Sequence, residues 1–147
     1  MPEIVIRSYR EQDEEDVVRL WRACGLVRPQ NNPRRDIARK ARVNPELFLV
    51  GTLDGRLVGT CMAGYEGHRG WLNYLAVDPP WQRQGIGAQL VAEAERRLRA
   101  LGCPKINLQV RTSNQAVICF YRSLGYSVDD VISLGKRLVI DEPDAPA

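Results

Sequence analysis

The stretch from Tyr74 to Leu101, Y-L-A-V-D-P-P-W-Q-R-Q-G-I-G-A-Q-L-V-A-E-A-E-R-R-L-R-A-L, constrains the fold more than any other. Tyr74 to Val77 is apolar and reads as the end of a strand. Asp78, Pro79 and Pro80 stop it, because proline cannot donate to a sheet ladder. Gln82-Arg83-Gln84-Gly85-Ile86-Gly87 follows, and a long helix begins at once. Ile86, Leu90, Ala94, Leu98 and Leu101 recur at helical spacing and define its buried face. Glu93 with Arg97, and Glu95 with Arg99, are spaced as ion pairs on the wet face. Gly102 and Pro104 close the helix.

A strand, a glycine turn and a helix start together favour an anion. The first amides of a helix have no partner within it, and the helix dipole adds partial positive charge there. Gly85 and Gly87 carry no Cβ, so a phosphate can approach the backbone, and Arg83 can add a full charge. A pyrophosphate is the natural guest. The same residues also describe an ordinary tight turn, and Gly-x-Gly by itself does not separate the two. The pattern is not a P-loop, since no Gly-Lys-Ser/Thr follows, nor a dinucleotide fingerprint, since Ala88, Gln89 and Leu90 supply no third glycine.

At 147 residues the chain is expected to form one domain, residues 1–141, with a disordered tail, E-P-D-A-P-A, at 142–147. A net charge of +3 is too small to argue for a nucleic-acid partner. No apolar run approaches the ~20 residues that span a bilayer, and Met1-Pro2-Glu3 does not open a signal peptide. Cys24, Cys61, Cys103 and Cys119 are scattered with no C-x-x-C, and His68 stands alone, so no metal site is expected. Reduced thiols in a cytoplasmic protein are the plain reading.

The remaining segments follow in order. Glu3 to Tyr9 reads as a first strand and Asp13 to Cys24 as a helix with Val17, Leu20, Trp21 and Cys24 buried, stopped by Gly25. Pro33 opens a second helix capped by Asn32. That helix carries Arg34, Arg35, Arg39, Lys40 and Arg42 against Asp36, which suits either an acidic ligand or a solvated face. Leu47 to Leu53 and Leu57 to Tyr65 are strands joined by Asp54-Gly55, a hairpin signal. Trp71 to Val77 is the fourth strand and Lys105 to Val110 the fifth. Asn114 to Leu124 is a helix with Val117, Phe120, Tyr121 and Leu124 on its apolar stripe. Two closing strands are expected at Tyr126 to Val131 and Ile132 to Ile140. The order β-α-α-β-β-β-α-β-α-β-β predicts an α/β domain around a mixed sheet.

The run L-A-V-D-P-P-W-Q-R-Q-G-I-G-A-Q-L resembles the acetyl-CoA motif of the GNAT superfamily of N-acetyltransferases, Q/R-x-x-G-x-G/A, with Gln82, Gly85 and Gly87 in its three set positions. A second family block is matched at S-N-Q-A-V-I-C-F-Y-R-S-L-G-Y, Ser113 to Tyr126. Small bacterial acetyltransferases of that family carry stretches similar to R-P-Q-N-N-P, G-H-R-G and S-L-G-K-R-L. Either block is weak by itself and the pair is specific; the resemblance covers essentially the whole chain.

The resemblance implies a single-domain GNAT fold whose fourth and fifth strands splay apart. It implies that backbone groups of Leu75 and Val77 are free to bond the pantetheine arm. It implies that amides from Gln82, Arg83, Gln84, Gly85, Ile86, Gly87 and Ala88 wrap the pyrophosphate, and that Asn114 touches the coenzyme from the other side. The co-substrate implied is acetyl-CoA, without a metal, and the partner an amine acceptor, with Arg28 to Arg42 shaping the acceptor side. Tyr121 is implied as the acid that protonates the leaving thiolate; by spacing alone it is a core tyrosine.

The base departs from the family. Where some protein N-terminal acetyltransferases of the family have glutamate, this chain has Gln109, leaving Glu66 and His68 as weak candidates beside a water chain. The same glutamine leaves open a module that binds acyl-CoA without turnover. The closing strands are a candidate edge for a homodimer.

Overall fold

The computed structural model describes residues 3–144. Five strands form one sheet in chain order: β1 (Val5–Ser8), β2 (Phe48–Leu53), β3 (Arg56–Tyr65), β4 (Gly70–Val77) and β5 (Ile106–Leu108). The first four run antiparallel, and β5 lies parallel to β4. The β2–β3 hairpin turns on Asp54 and Gly55, both in the left-handed region at φ 48° and 78°. That is the backbone a two-residue hairpin loop requires.

Helices α1 (Glu14–Ala23) and α2 (Pro33–Lys40) cover one face of this sheet. Asn32 caps α2, its side chain accepting from the Arg34 and Arg35 amides. Val17, Val18, Leu20, Trp21 and Ile37 pack there on Phe48 and Val50. The other face carries α3 (Ile86–Ala100) and α4 (Gln115–Ser123). Ile86, Leu90, Ala94, Leu98 and Tyr121 pack there against Leu49 and Val58. Successive residues of β2 thus serve opposite faces. Burial on both sides is why this strand reads as an unbroken apolar run. Within the stripe expected for α3, Leu101 ends up at the C-cap and half exposed, past the last covered turn.

Two expectations need correction. The fifth strand is shorter than Lys105 to Val110, and the closing strands at Tyr126 to Val131 and Ile132 to Ile140 do not form among the described residues. Side chains replace the backbone ladder there. Lys105 and Asn107 bond Asp129, each at 2.9 Å, and the Gln109 amide donates to the Ser133 hydroxyl. Further on, the chain is drawn to α1 and α2. Asp141 pairs with Arg39, and Asp144 with Arg22 and Arg34. Ile132, Leu134, Leu138 and Ile140 are left facing solvent, Leu134 at 91% exposure. The expected disordered tail therefore includes bound residues, Glu142 and Asp144, while 145–147 lie outside the described residues.

Among the described residues no helix is long and apolar enough to cross a membrane. The four cysteines are free thiols.

Candidate active site

The register between β4 and β5 runs from Gly70 opposite Ile106 to Leu72 opposite Leu108 and stops there. Beyond that point β4 continues to Val77 without a partner on this side. A bulge coincides with the parting. The β3–β4 register shifts between Thr60 and Met62, and Tyr74 takes a left-handed φ of 50°. Such a conformation in a non-glycine strand residue is strained and must be held by its surroundings. Trp21 stacks on the Tyr74 ring at 3.8 Å, Thr60 donates to the Tyr74 carbonyl at 2.9 Å, and the Tyr74 hydroxyl donates to Asp36 at 2.6 Å. No sequence signal marks Tyr74 for this task; the strain is a product of packing.

The opening between the parted strands is a cleft of about 720 Å³. Leu75, Leu108, Asn114 and Tyr121 line it, with Asp36, Arg39 and Lys40 from the α2 side. Tyr121 also lines a larger groove of about 1170 Å³ between β5 and the 126–133 segment. That groove is the space left where the closing strands were expected, whereas the smaller cleft lies where β4 and β5 part. The parted strands, with the glycine turn at the end of β4, are the more coherent site.

At that turn, α3 begins on Gly85 at φ 85°, with no side-chain cap. The first helical bond runs from the Gln89 amide to the Gly85 carbonyl, so the amides of Ile86, Gly87 and Ala88 have no partner within the helix. A Cβ on Gly85 would meet nothing within 4 Å, so this side is open to a ligand. Arg83 is left-handed too, at φ 64°. Gly87 also has a packing role. Its Cβ would lie 3.3 Å from Phe120 Cζ, so the missing side chain admits α4 against the start of α3. Two further residues differ in detail. The Gln82 side chain donates to the Val77 carbonyl at 2.9 Å, and the Cys24 thiol donates to the same oxygen at 3.3 Å. That carbonyl is therefore taken. Asn114 caps α4, accepting from the Val117 amide, and lines the cleft as well.

Tyr121 is buried, and burial pushes its phenol above the ordinary range, so it keeps its proton at neutral pH. Cys61 shares its core cluster, and burial raises that thiol to about 12. A thiol so protonated is a poor nucleophile. Glu66 lines neither cleft. It accepts from the His68 and Arg69 amides, which hold its carboxyl below the ordinary range. A group so engaged is ill suited to take a proton. Gln109 does line the cleft.

Nothing in the sequence singles Lys40 out from its charged neighbours. It is 8% exposed, and its ammonium donates to the Ala63 carbonyl.

Residues 6–126 match the Acetyltransferase (GNAT) family. An acetyltransferase of Yersinia pestis is 47% identical over 137 residues, covering 93% of this chain and 97% of that protein. An acetyltransferase of Sodalis glossinidius is 49% identical over 138 residues, covering 93% and 97%. Among solved structures, Ard1 from Thermoplasma volcanium superposes with a TM-score of 0.78 at 27% identity, covering 86% of this chain and 84% of that one. The fold and the glycine turn define an acyl-transferring α/β domain. The chain belongs to the GNAT family and is an acetyl-transferring enzyme.

Proposed function

We propose that the enzyme transfers the acetyl group of acetyl-CoA to a primary amine by direct attack. The observation that carries this is the parting of β4 and β5 beyond Leu72 and Leu108, a cleft lined by Tyr121, with the uncapped start of α3 following the end of β4 in the chain. A similar fold, the PaiA N-acetyltransferase of Thermoplasma acidophilum, was solved with coenzyme A, at 20% identity and a TM-score of 0.75, covering 88% of this chain and 93% of that one.

The amides of Ile86, Gly87 and Ala88, with the dipole of α3, hold the pyrophosphate. Leu75, unpaired toward β5, bonds the pantetheine arm as a strand would, and an amide of β4 near it polarises the thioester oxygen. The neutral amine forms a bond to the acetyl carbon, and the carbon–sulfur bond breaks. Tyr121 gives its proton to the departing sulfur and recovers one from the amine through solvent. Gln109 cannot act as base, so a solvent water takes the amine proton. Cys61 is fully buried and lines neither cleft, which argues against an acetyl-cysteine intermediate there.

Calorimetric titration with acetyl-CoA, with ATP as control, tests the donor. Micromolar binding of acetyl-CoA and none of ATP is expected. No binding at millimolar acetyl-CoA would remove the roles given to Gln82 through Ala88, Asn114 and Tyr121.

A further inference from the structure

The α2 wall of the cleft is cationic. Arg28, Arg39, Lys40 and Arg111 line the cleft, Arg39 and Lys40 from α2 itself, against Asp36, which pairs with Arg39 at 3.1 Å. None of Gln82 to Ala88 lines it, so these charges sit apart from the turn assigned to the coenzyme's pyrophosphate.

Two of the four show what they are built to hold. Arg39 already grips a carboxylate in two-point fashion: its Nη1 and Nη2 donate to Asp141 Oδ2 and Oδ1 at 2.9 and 2.6 Å. That fork-to-fork geometry matches a carboxylate and gives both strength and orientation. Asp141, the chain's own acid, is 6% exposed in this grip. Lys40 is a buried ammonium whose hydrogen bond goes to one carbonyl, that of Ala63. An ammonium has three donors, and a charge held out of water with donors to spare is costly until an anion meets it. Both residues line the same cleft as Tyr121.

We propose that the acceptor is an acidic amine, and that its carboxylate binds between Arg39 and Lys40 while its amine reaches the acetyl group near Tyr121. This rests on the acetyl-transfer reading above. Asp141 occupies part of the same grip in the free enzyme and gives way to the acceptor. The acceptor class is then a peptide or small molecule carrying a carboxylate near its free amine, and its carboxamide counterpart is discriminated against because it leaves Lys40 unmet.

The test measures acceptor binding, so it does not depend on turnover. Peptides with a free N-terminus and either Glu or Gln at the second position are titrated by calorimetry into enzyme saturated with coenzyme A. The Glu peptide is expected to bind at least tenfold tighter. Arg39→Gln should reduce that ratio to near one and leave acetyl-CoA affinity unchanged, which also shows that the variant is folded. Arg34→Gln, whose partners are Glu14, Glu15 and Asp144, should leave the ratio intact. Asp141→Asn should tighten the Glu peptide. Equal affinity for the two peptides, no binding of either at millimolar concentration, or a preference that survives Arg39→Gln would overturn the proposal. A loss of acetyl-CoA affinity in folded Arg39→Gln would also overturn it, by assigning the arginine to the coenzyme. Tight acetyl-CoA binding with a Glu preference but no turnover would instead count against the acetyl-transfer reading alone.

Discussion

The Tyr74 hydroxyl donates to the Asp36 carboxylate at 2.6 Å, tying the bulge in β4 to the helix that walls the cleft. The bond joins a strained residue to a neighbouring element, so it resists relaxation of the parted strands. Tyr74→Phe keeps the stack on Trp21 and loses only this bond. It should cost about 2 kcal/mol in urea unfolding, the usual worth of a hydrogen bond to a charged group. Acceptor KM should rise while acetyl-CoA binding stays within about twofold.

Thr60 stands behind the same bulge. It accepts from the Trp21 indole at 3.0 Å and donates to the Tyr74 carbonyl, and it is fully buried. Thr60→Val keeps the shape and strands the indole N–H. A loss of about 2 kcal/mol is expected, with Thr60→Ser recovering most of it. Equal stability of the Val and Ser variants would show that the hydroxyl contributes nothing.

Tyr121→Phe removes the proposed acid without opening a cavity. Turnover should fall about 100-fold, within the range that a positioned acid contributes, and the calorimetric affinity for acetyl-CoA should hold. Because burial raises the wild-type phenol, the rate should show no alkaline loss near the ordinary tyrosine value of about 10. A Phe variant as fast as wild type would take Tyr121 out of the mechanism.

The two glycines of the turn should fail differently. Gly85→Ala meets open space but must hold φ 85°, a cost of about 1 kcal/mol. Gly87→Ala presses on Phe120 and should cost about 1–2 kcal/mol by overpacking. Phe120→Leu should rescue the Gly87 variant and not the Gly85 variant. Thermal unfolding of the four proteins and two doubles decides it.

Arg7 donates to both Asp13 carboxylate oxygens at 2.8 and 2.9 Å, and the Arg10 amide adds a bond at 2.8 Å. The Arg7 guanidinium in particular holds the Asp13 carboxyl below its ordinary range. A carboxyl depressed in the folded state stabilises above its unfolded pKa, and that stability is lost as pH falls through the lower folded value. Asp13→Asn should therefore melt below wild type at pH 6. The gap should narrow once the pH drops below about 4, near the unfolded aspartate value. A gap unchanged with pH would mean that the charge is not what Asp13 contributes.

Local chemistry was legible from residues alone. Asp54-Gly55, Asn32-Pro33 and the run from Gln82 to Gly87 act within a few residues of themselves, through φ preference and unpartnered amides, so their outcomes are written in the chain. The periodic faces of α3 and α4 are likewise set by 3.6-residue spacing and the need to cover a sheet.

What depended on distant partners was not legible. The sequence marks Gly87 for a phosphate but not for the close approach of Phe120 from α4. It offers Glu66 as a base, but two neighbouring amides claim that carboxylate. The segment 126–140 is expected to close the sheet as two strands, yet Asp129 bonds to Asn107 of β5 and Ser133 to Gln109 just beyond it, while Asp141 is pulled to Arg39. Likewise the charge run from Arg34 to Arg42 suits either an acidic ligand or a solvated face when read from the sequence. Packing splits it into ion pairs at Arg34, a carboxylate clamp at Arg39 and a buried ammonium at Lys40. By itself the sequence determined the four helices, the first four strands, their faces and the glycine turn before α3, because those follow from backbone geometry and periodicity. Only the tertiary structure decided which charges are buried and what they face, because burial and pairing arise when residues far apart in the chain share one low-dielectric space.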